Sequence, residues 1–555
     1  MAYTRIQLAG TYRDGPAAEG LTFGGPRRAQ VRYDHLVEQI HHIRRSRRIT
    51  TVVVDQRSDF SPGGFAAVES IRTALSELAD AGTHLVFCCE ECTFPALYLA
   101  SACHERCIHP SGELRVLGFA RRFLFFRKLL DRFGARATVL RRGVYKSAGD
   151  AVRTDGLDSA NREQYEIFYG GVHSRYAGTI AMALGKSRED LDVLTDGHVL
   201  PAEQAVTHGW MTEVATVHDV ERRLEEGKQK RRTVSVAGRV GRWGRRVAVL
   251  FLDGAICDGE SRRDPALGRC VGDRSIGREI RRLAGDRRTA GVVVRVNSPG
   301  GSAVASESIR RELAHLHSKK PVVVSMGNVA GSGGYWVATE ADRVFAEPST
   351  LTGSIGVLML LLEAETPLKR YGITSESVTT GRYAELGTGL RRLTREEERL
   401  LDNRVEQIYE DFLERAATAR GMSREAVAEV AGGRVWSGFD ASEVGLVDEL
   451  GGLPAAVEWM RGRLAVRRIA LRFYPRIKSS LLERVVRKRI GATLELPPDP
   501  AAGTDVAFDA AAGGTESIMG GSEARAAVYR AAEAAASLHG RVLAIVPEYV
   551  PGTDL

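Results

Sequence analysis

The chain has 555 residues, of which 43% are apolar, and its formal net charge at pH 7 is +8. This composition excludes a disordered protein, and this length predicts two or three domains that each bury a core. The positive charge is concentrated: residues 227–246 hold eight Lys/Arg and no Asp/Glu, and residues 461–489 hold eleven Lys/Arg and one Glu. Because no aromatic or RNA-binding motif accompanies these stretches, we expect a linker or a contact with an anionic membrane, and no nucleic-acid partner.

The N-terminal residues, MAYTRIQLAGTYRDGPAAEG, contain no basic region followed by an apolar core, so the sequence predicts no signal peptide. No run of about 18 apolar residues occurs in the chain, so it also predicts no transmembrane helix. We therefore expect a cytoplasmic protein, or one bound peripherally to the cytoplasmic membrane.

The first strands along the chain are predicted at TVVVD (51–55) and HLVFCC (84–89). Five of the seven cysteines lie here or shortly after, at positions 88, 89, 92, 103 and 107, with histidines at 84, 104 and 109. A zinc site is one interpretation of this cluster. Because a chain without a secretion signal does not favour disulfides, and because Cys is a common core residue, we instead expect buried thiols, no metal and no cofactor.

Further strands are predicted at VAVLFL (247–252), GVVVRV (291–296) and PVVVSM (321–326), with a helix at SESIRRELAHLH (306–317). Strands that alternate with helices in this way are typical of a layered α/β fold.

The C-terminal part of the chain differs in composition. Within it, SSLLERVVRKRI (479–490) places Leu482, Val485 and Val486 on one face of a helix and basic residues largely on another. Such a helix could lie on an anionic membrane or pack on an oligomer, and both interpretations stay open. The Ala/Gly-rich stretch at 499–521 is typical of a flexible linker.

The chain also contains an internal repeat. A shift of 238 residues aligns HPSGELRVLG (from 109) with EPSTLTGSIG (from 347), and ESIR at 69 with ESIR at 307. It also aligns GVYKSAG (from 143) with GRYAELG (from 381) and, one residue out of register, the two SPGG motifs at 61 and 298. This pattern predicts a tandem duplication. Its parts are an N-terminal arm (1–29), a first domain (30–226), a basic linker (227–246), a second domain (247–462) and a C-terminal extension (463–555).

The candidate nucleophile is Ser332, in NVAGSGGYWVA shortly after the predicted strand PVVVSM. A serine hydroxyl needs a base to take its proton, and no histidine follows it before position 539. Under the 238-residue shift Ser332 aligns with Phe94, and Lys146 aligns with Ala384, so each half keeps one candidate catalytic residue. Because burial disfavours the charged form of a lysine and leaves an amine that can accept a proton, we predict a Ser332/Lys146 dyad shared by the two domains.

Acyl transfer also requires hydrogen-bond donors for the negatively charged oxygen that forms during attack. The motif NSPGGS places Gly300 and Gly301 at a strand-to-helix turn, where backbone amides lack partners within the helix. We predict that the amides of Gly300 and Gly333 form this oxyanion hole.

The ordered motifs NSPGG, AGSGGYWVA and PSTLTGSIG, with YKSA in the first half, resemble those of the signal peptide peptidase SppA (protease IV) family in its long tandem form. The resemblance covers about residues 30–462. It implies a ClpP/crotonase-like α/β fold in each half and assembly of the chain into a ring-like homotetramer. It also implies hydrolysis of apolar peptides such as cleaved signal peptides. It also implies that Ser332 is the nucleophile, that Lys146 is the general base, and that the hydroxyl of Ser354, in TGSIG, orients the lysine amine.

Two other functions are compatible with parts of this pattern. A crotonase-type acyl-CoA enzyme would use the same fold and oxyanion hole, but it would need a carboxylate acid/base and has no use for the serine of GSGGYW. A non-catalytic membrane-associated scaffold could lose Lys146, Ser332 and Ser354 without penalty, and all three are present. The sequence therefore favours a serine endopeptidase with a Ser/Lys dyad.

Overall fold

The computed structural model describes residues 1–16, 30–234, 236, 239–241, 243–264, 267–475 and 541–545. The helix expected at 479–490 and the linker expected at 499–521 lie outside the described residues. Within these described ranges, no helix combines the length and the apolar character needed to cross a membrane.

The first half of the chain alternates strands and helices. Its strands are β1 (Ala2–Leu8), β2 (Thr11–Arg13), β3 (Gln30–Arg32), β4 (Ile49–Gln56), β5 (His84–Cys89), β6 (Cys92–Thr93), β7 (Glu105–Ile108), β8 (Glu113–Arg115), β9 (Arg136–Arg142), β10 (Leu200–Pro201), β11 (Glu213–Val214) and β12 (Lys230–Arg231). Its helices are α1 (Tyr33–Arg45), α2 (Phe65–Asp80), α3 (Phe94–Ala100), α4 (Arg127–Phe133), α5 (Asp150–Arg153), α6 (Ser159–Leu184), α7 (Arg188–Thr195), α8 (Ala202–Thr207) and α9 (Val217–Glu226).

The second half follows a similar order. Its strands are β13 (Arg239–Val240), β14 (Arg245–Asp253), β15 (Ala255–Cys257), β16 (Arg262–Asp264), β17 (Gly268–Gly272), β18 (Thr289–Ser298), β19 (Gly300–Ser302), β20 (Val322–Gly331), β21 (Arg343–Ala346), β22 (Leu351–Gly353), β23 (Val357–Glu363), β24 (Val435–Ser437), β25 (Glu449–Leu450), β26 (Ile469–Tyr474) and β27 (Arg541–Ile545). Its helices are α10 (Asp273–Gly285), α11 (Ala303–His317), α12 (Gly333–Ala338), α13 (Glu365–Arg370), α14 (Arg395–Arg420), α15 (Arg424–Val430), α16 (Gly438–Glu443) and α17 (Leu453–Arg463).

Each half is built on a parallel sheet with the same strand order. The order is β11-β7-β5-β4-β1-β12 in the first half and β25-β21-β20-β18-β14-β26 in the second. Neighbouring strands along both orders run parallel. Strands β5 and β20 begin 238 residues apart, and so do β7 and β21. The tandem α/β architecture predicted from the sequence repeat is therefore confirmed.

Both sheets extend further along the chain than the expected domain boundaries. Strand β1 lies between β4 and β12, inside the first sheet, whereas the sequence motifs place residues 1–29 in an arm. Strand β26 pairs with β14 in the second sheet, although it falls in the expected C-terminal extension. The physical reason is burial, since Ile6 and Leu8 of β1 and Leu471 and Phe473 of β26 are all core side chains.

The two halves are joined by strand pairing and by a shared core. Strand β9 of the first half pairs antiparallel with β23 of the second over seven residues of each strand. One cluster of buried apolar side chains includes Leu8 and Phe87 of the first half together with Phe251 and Phe473 of the second. Separating the halves would expose this apolar surface to water, so the shared core stabilises their association.

Candidate active site

Ser332 occupies the sharp corner between β20 and α12. Its φ of 55° and ψ of −116° are unusual for a residue with a side chain, and this strain persists only where neighbouring structure holds the backbone in place. The holding contacts are present: the Ser332 amide donates to the carbonyl of Gly353 at 2.8 Å, and the Trp336 amide donates to the carbonyl of Ser332 at 2.8 Å. Ser332 is fully buried. The corner therefore fixes the position of its hydroxyl.

Lys146 follows β9 and reaches across to the second half. Its Nζ lies 2.6 Å from Ser332 Oγ, and it lies 3.0 Å from both the hydroxyl and the carbonyl oxygen of Ser354. All three residues have side chains shielded from solvent, with a relative exposure of 0% for each. The structure thus brings together the three polar side chains that the sequence singled out, within one chain.

Several residues that the sequence did not indicate hold the Lys146 loop in place. Gly433 packs so closely that a Cβ on it would lie 2.6 Å from the Lys146 amide nitrogen. On the other side, Arg141 Nη1 donates to the Lys146 carbonyl at 3.0 Å and pairs with Asp150, which also pairs with Arg153. Burial raises the pKa of Asp150, against the opposing effects of the two arginines. No motif marks these residues, because their roles depend on contacts that only the folded chain creates.

Helix α6 provides a further link between the halves at this site. Gln164 Nε2 donates to the carbonyl of Tyr145 at 3.3 Å, and Gln164 Oε1 accepts from the amide of Val435 at 3.0 Å. One side chain therefore bridges the residue before Lys146 and strand β24 of the second half.

The two glycines predicted to bind an oxyanion lie side by side next to Ser332. A Cβ on Gly333 would lie 3.2 Å from the Cα of Gly300 and 2.5 Å from Ser306 Oγ, so Gly333 has no room for a side chain. Gly300 has a φ of 96°, and its amide donates to Ser298 Oγ at 3.2 Å. Gly333 is the first residue of α12 and Gly300 is the first residue of β19, and the role of their amides as oxyanion donors stays a prediction.

The cysteines lie in the core. All seven are buried and none forms a disulfide. Among the described residues, the one group of three ligating side chains close enough to share a metal ion is Glu105, Cys107 and Glu213. Arg223 forms ion pairs with both of these carboxylates, so its guanidinium already compensates their negative charge. None of the three histidines considered from the sequence belongs to this group, and the absence of a bound metal stays a prediction.

Two parallel-sheet domains that share a serine and a buried lysine at hydrogen-bond distance indicate a hydrolase acting through a serine. Comparison with known proteins agrees: the sequence profile of Peptidase family S49 matches residues 85–231 and 314–467, once in each half. The chain belongs to this family, and it is a serine protease, as the sequence predicted.

The chain is also similar to curated proteases over most of its length. It is 32% identical to Protease 4 of Salmonella typhi over 84% of this chain and 77% of that protein. It is 30% identical to the chloroplastic serine protease SPPA of Arabidopsis thaliana over 71% of this chain and 60% of that protein. It is 29% identical to Protease 4 of Haemophilus influenzae over 72% of this chain and 68% of that protein.

Proposed function

We propose that this protein is an endopeptidase in which Ser332 is the nucleophile and Lys146 the general base, and that it hydrolyses apolar peptides such as cleaved signal peptides. The observation that carries the proposal is the 2.6 Å contact between Lys146 Nζ and Ser332 Oγ in a site shielded from water. The substrate class is supported by the resemblance of the motifs to the SppA family and by the similarity to the chloroplastic protease SPPA.

The proposed reaction uses Lys146 in its neutral form, whose amine has two N–H donors and one lone pair. The two N–H groups can donate to the hydroxyl and carbonyl oxygens of Ser354, each 3.0 Å away. The lone pair then faces Ser332 Oγ and can accept its proton. Ser354 would therefore orient the base without contacting the substrate.

The reaction follows from these positions. As Lys146 Nζ takes the hydroxyl proton, Ser332 Oγ bonds to the carbonyl carbon of the peptide, and the carbonyl oxygen becomes an oxyanion that the amides of Gly300 and Gly333 stabilise. The protonated lysine next gives its proton to the leaving amine as the C–N bond breaks, which leaves an ester on Ser332. Water then attacks this ester while Lys146 takes a proton from the water. The protonated lysine returns this proton to Ser332 Oγ as the ester C–O bond breaks, and the second product leaves with its new carboxyl group.

Assembly and location form a separate part of the proposal. The SppA resemblance supports assembly into a homotetramer. The basic stretch at 461–489 supports peripheral contact with an anionic membrane. Sedimentation analysis should give four chains per particle, and the particle should pellet with anionic but not with neutral vesicles. A monomer, or equal binding to both kinds of vesicle, would contradict this part.

The test of the proposed reaction is mass spectrometry of the products from a synthetic signal peptide. Wild-type protein should cut the peptide at internal bonds. A phosphonate inhibitor that reacts with active-site serines should label Ser332 and stop cleavage. Ser332→Ala protein should produce no cuts. Cleavage by the Ser332→Ala chain at the wild-type rate would overturn the assignment.

A further inference from the structure

Arg434 contacts both of the loops that carry the proposed base and its hydroxyl partner. The guanidinium carbon of Arg434 lies 5.1 Å from the centre of the Tyr145 ring and 4.5 Å from the centre of the Trp436 ring. Tyr145 directly precedes Lys146 in the chain. The backbone of Arg434 reaches the other loop, since its carbonyl oxygen accepts from the amide of Ser354 at 2.7 Å.

The two aromatic rings are the close contacts of the Arg434 guanidinium. Its Nε is buried and has no hydrogen-bond partner among the described residues. Its ion pair with Glu163 spans 3.7 Å, and the Glu163 side chain is 56% exposed, so this pair contributes little. A guanidinium over an aromatic ring is attracted by the negative face of the ring, and the attraction is stronger where water is excluded. We therefore expect the side chain to act through the rings.

Trp436 ties the guanidinium to the side of the site that carries the nucleophile. The Trp436 indole N–H donates to the carbonyl of Val430 at 2.9 Å, which holds the ring in place. A Cβ on Gly353 would lie 2.8 Å from Trp436 Cδ1, so this ring packs directly on the Gly353 backbone. The Gly353 carbonyl in turn accepts from the amide of Ser332 at 2.8 Å.

Tyr145 ties the same guanidinium to the side that carries the base. The Tyr145 amide donates to the carbonyl of Gly432 at 3.0 Å, and its carbonyl accepts from Gln164 at 3.3 Å. These two bonds hold the backbone, and the contact with Arg434 holds the ring. Because Lys146 is the next residue, a shift of Tyr145 would displace the base, and a displacement of about 1 Å can lower a rate a hundredfold.

We propose that Arg434 is a positioning residue, whose guanidinium holds the Tyr145 ring beside Trp436 and so keeps Lys146 Nζ in reach of Ser332 Oγ. This inference rests on the proposed Ser332/Lys146 reaction. Arg434 acts through Tyr145 rather than on the substrate, so its loss should lower kcat with little change in KM.

The first test replaces the guanidinium. Arg434→Met removes the charge and keeps a long side chain, and kcat for a reporter peptide should fall at least tenfold with KM changed by less than about twofold. Arg282→Met is the matched control, because Arg282 lies 5.0 Å from the centre of the Tyr474 ring and pairs with Glu279, so it loses contacts of the same kind outside the site. It should keep the wild-type kcat. Equal kcat values for the two variants would overturn the inference.

The second test asks whether Arg434 acts through the Tyr145 ring. Tyr145→Leu should lower kcat as Arg434→Met does, and Tyr145→Phe, which keeps the ring, should recover most of that loss. The double variant Arg434→Met/Tyr145→Leu should lose no more than the worse single variant, because both changes break one contact. Losses that multiply in the double variant would overturn the inference. Tyr145 is half-buried, so the Leu and Phe variants give the same comparison should Arg434→Met fail to fold.

The rate at which a phosphonate inhibitor labels Ser332 separates this inference from the proposed reaction. Labelling requires an activated Ser332 but no peptide substrate. It should be about tenfold slower in Arg434→Met than in wild type and unchanged in Arg282→Met. Equal labelling rates in wild type and Arg434→Met would overturn this inference alone. A wild-type chain that the phosphonate does not label would contradict the dyad, and this inference with it.

Discussion

At the scale of single residues, the dyad makes a direct prediction. Ser332→Ala and Lys146→Ala should each lower kcat by on the order of 10⁴-fold or more, and the double variant should be no worse, because the two side chains act as one unit. Lys146→Met, which keeps most of the buried side-chain volume, should be as inactive as Lys146→Ala. Thermal unfolding of each variant controls for folding. Near-normal turnover by either Lys146 variant would show that another group is the base.

Ser354 should affect the rate more than binding. Ser354→Ala removes one of the two Ser354 oxygens that contact Lys146 Nζ and leaves the carbonyl oxygen in place. A hydrogen bond to a group that becomes charged contributes about 1.5 kcal/mol or more, so kcat should fall roughly tenfold with little change in KM. Steady-state kinetics with a reporter peptide measures both values, and an unchanged kcat would contradict the orienting role.

Gly433 should matter because of its contact with Lys146. Gly433→Ala would place a Cβ 2.6 Å from the Lys146 amide nitrogen, so the loop must shift and kcat should fall at least tenfold. Gly421→Ala is the matched control, since Gly421 has a similar positive φ, 64° against 79°, and no atom within 4 Å of its Cβ position. Both variants should lose about 1 kcal/mol of stability from backbone strain. Equal kcat values in the two variants would exclude the contact as the cause.

These residues differ in how far the sequence could reveal them. Ser332 could be found because a Gly-rich strand-to-helix corner is a local pattern, and Lys146 because the repeat showed which half had lost each partner. Gly433 and Gln164 could not, because each acts by touching a segment more than 200 residues away. No local pattern encodes such a contact.

At the scale of secondary-structure elements, helix α2 of the first half meets the segment after β21 through two buried carboxyl groups. The amide and hydroxyl of Ser349 donate to Glu69 at 2.8 and 2.6 Å, and Ser70 Oγ donates to Glu347 at 2.7 Å. Burial, together with the nearby Glu347, raises the pKa of Glu69 to about 8. Burial also raises the pKa of Glu347.

This contact should make stability fall as the pH rises. Because the folded chain holds a proton on Glu69 that the unfolded chain releases near pH 4.5, the stabilisation is complete below that pH and is lost as the pH rises through about 8. The free energy of unfolding from urea titrations should therefore decrease between pH 5 and pH 9, by a few kcal/mol. Glu69→Gln should remove much of this dependence, and Glu77→Gln, at a partly exposed position on the same helix, should not. Equal slopes for both variants would contradict the assignment.

Strands β1 and β26 show why the expected domain boundaries differ from the structure. The strands predicted at 51–55, 84–89, 247–252, 291–296 and 321–326 fall on β4, β5, β14, β18 and β20, because each is a run of apolar, mostly β-branched residues. Strands β1 and β26 carry no motif, and β26 lies in a basic stretch that suggests a linker. Their membership of the sheets depends on pairing with β4 and β14, which are distant along the chain.

At the scale of the whole molecule, the question is whether the active site forms within one chain or between neighbours in an oligomer. Strand β9 pairs with β23 over seven residues, and it leads directly to Lys146. The halves also share one apolar core. Lys146, held by these contacts, reaches Ser332 of its own chain. Replacing it with the Lys146 of a neighbouring chain would require breaking both the β9–β23 pairing and the shared core.

The prediction is that Lys146→Ala and Ser332→Ala chains do not complement each other. Each chain lacks one member of the dyad, so a site that closes within one chain stays inactive in every mixed oligomer. Co-refolded mixtures of the two variants should show no more peptidase activity than either variant alone. Mixtures of each variant with wild-type chains serve as the control, and their activity should scale with the wild-type fraction. Recovery of a substantial part of the wild-type activity in the variant mixture would show that Lys146 of one chain serves Ser332 of another, and the pairing of β9 with β23 would then form between chains in solution.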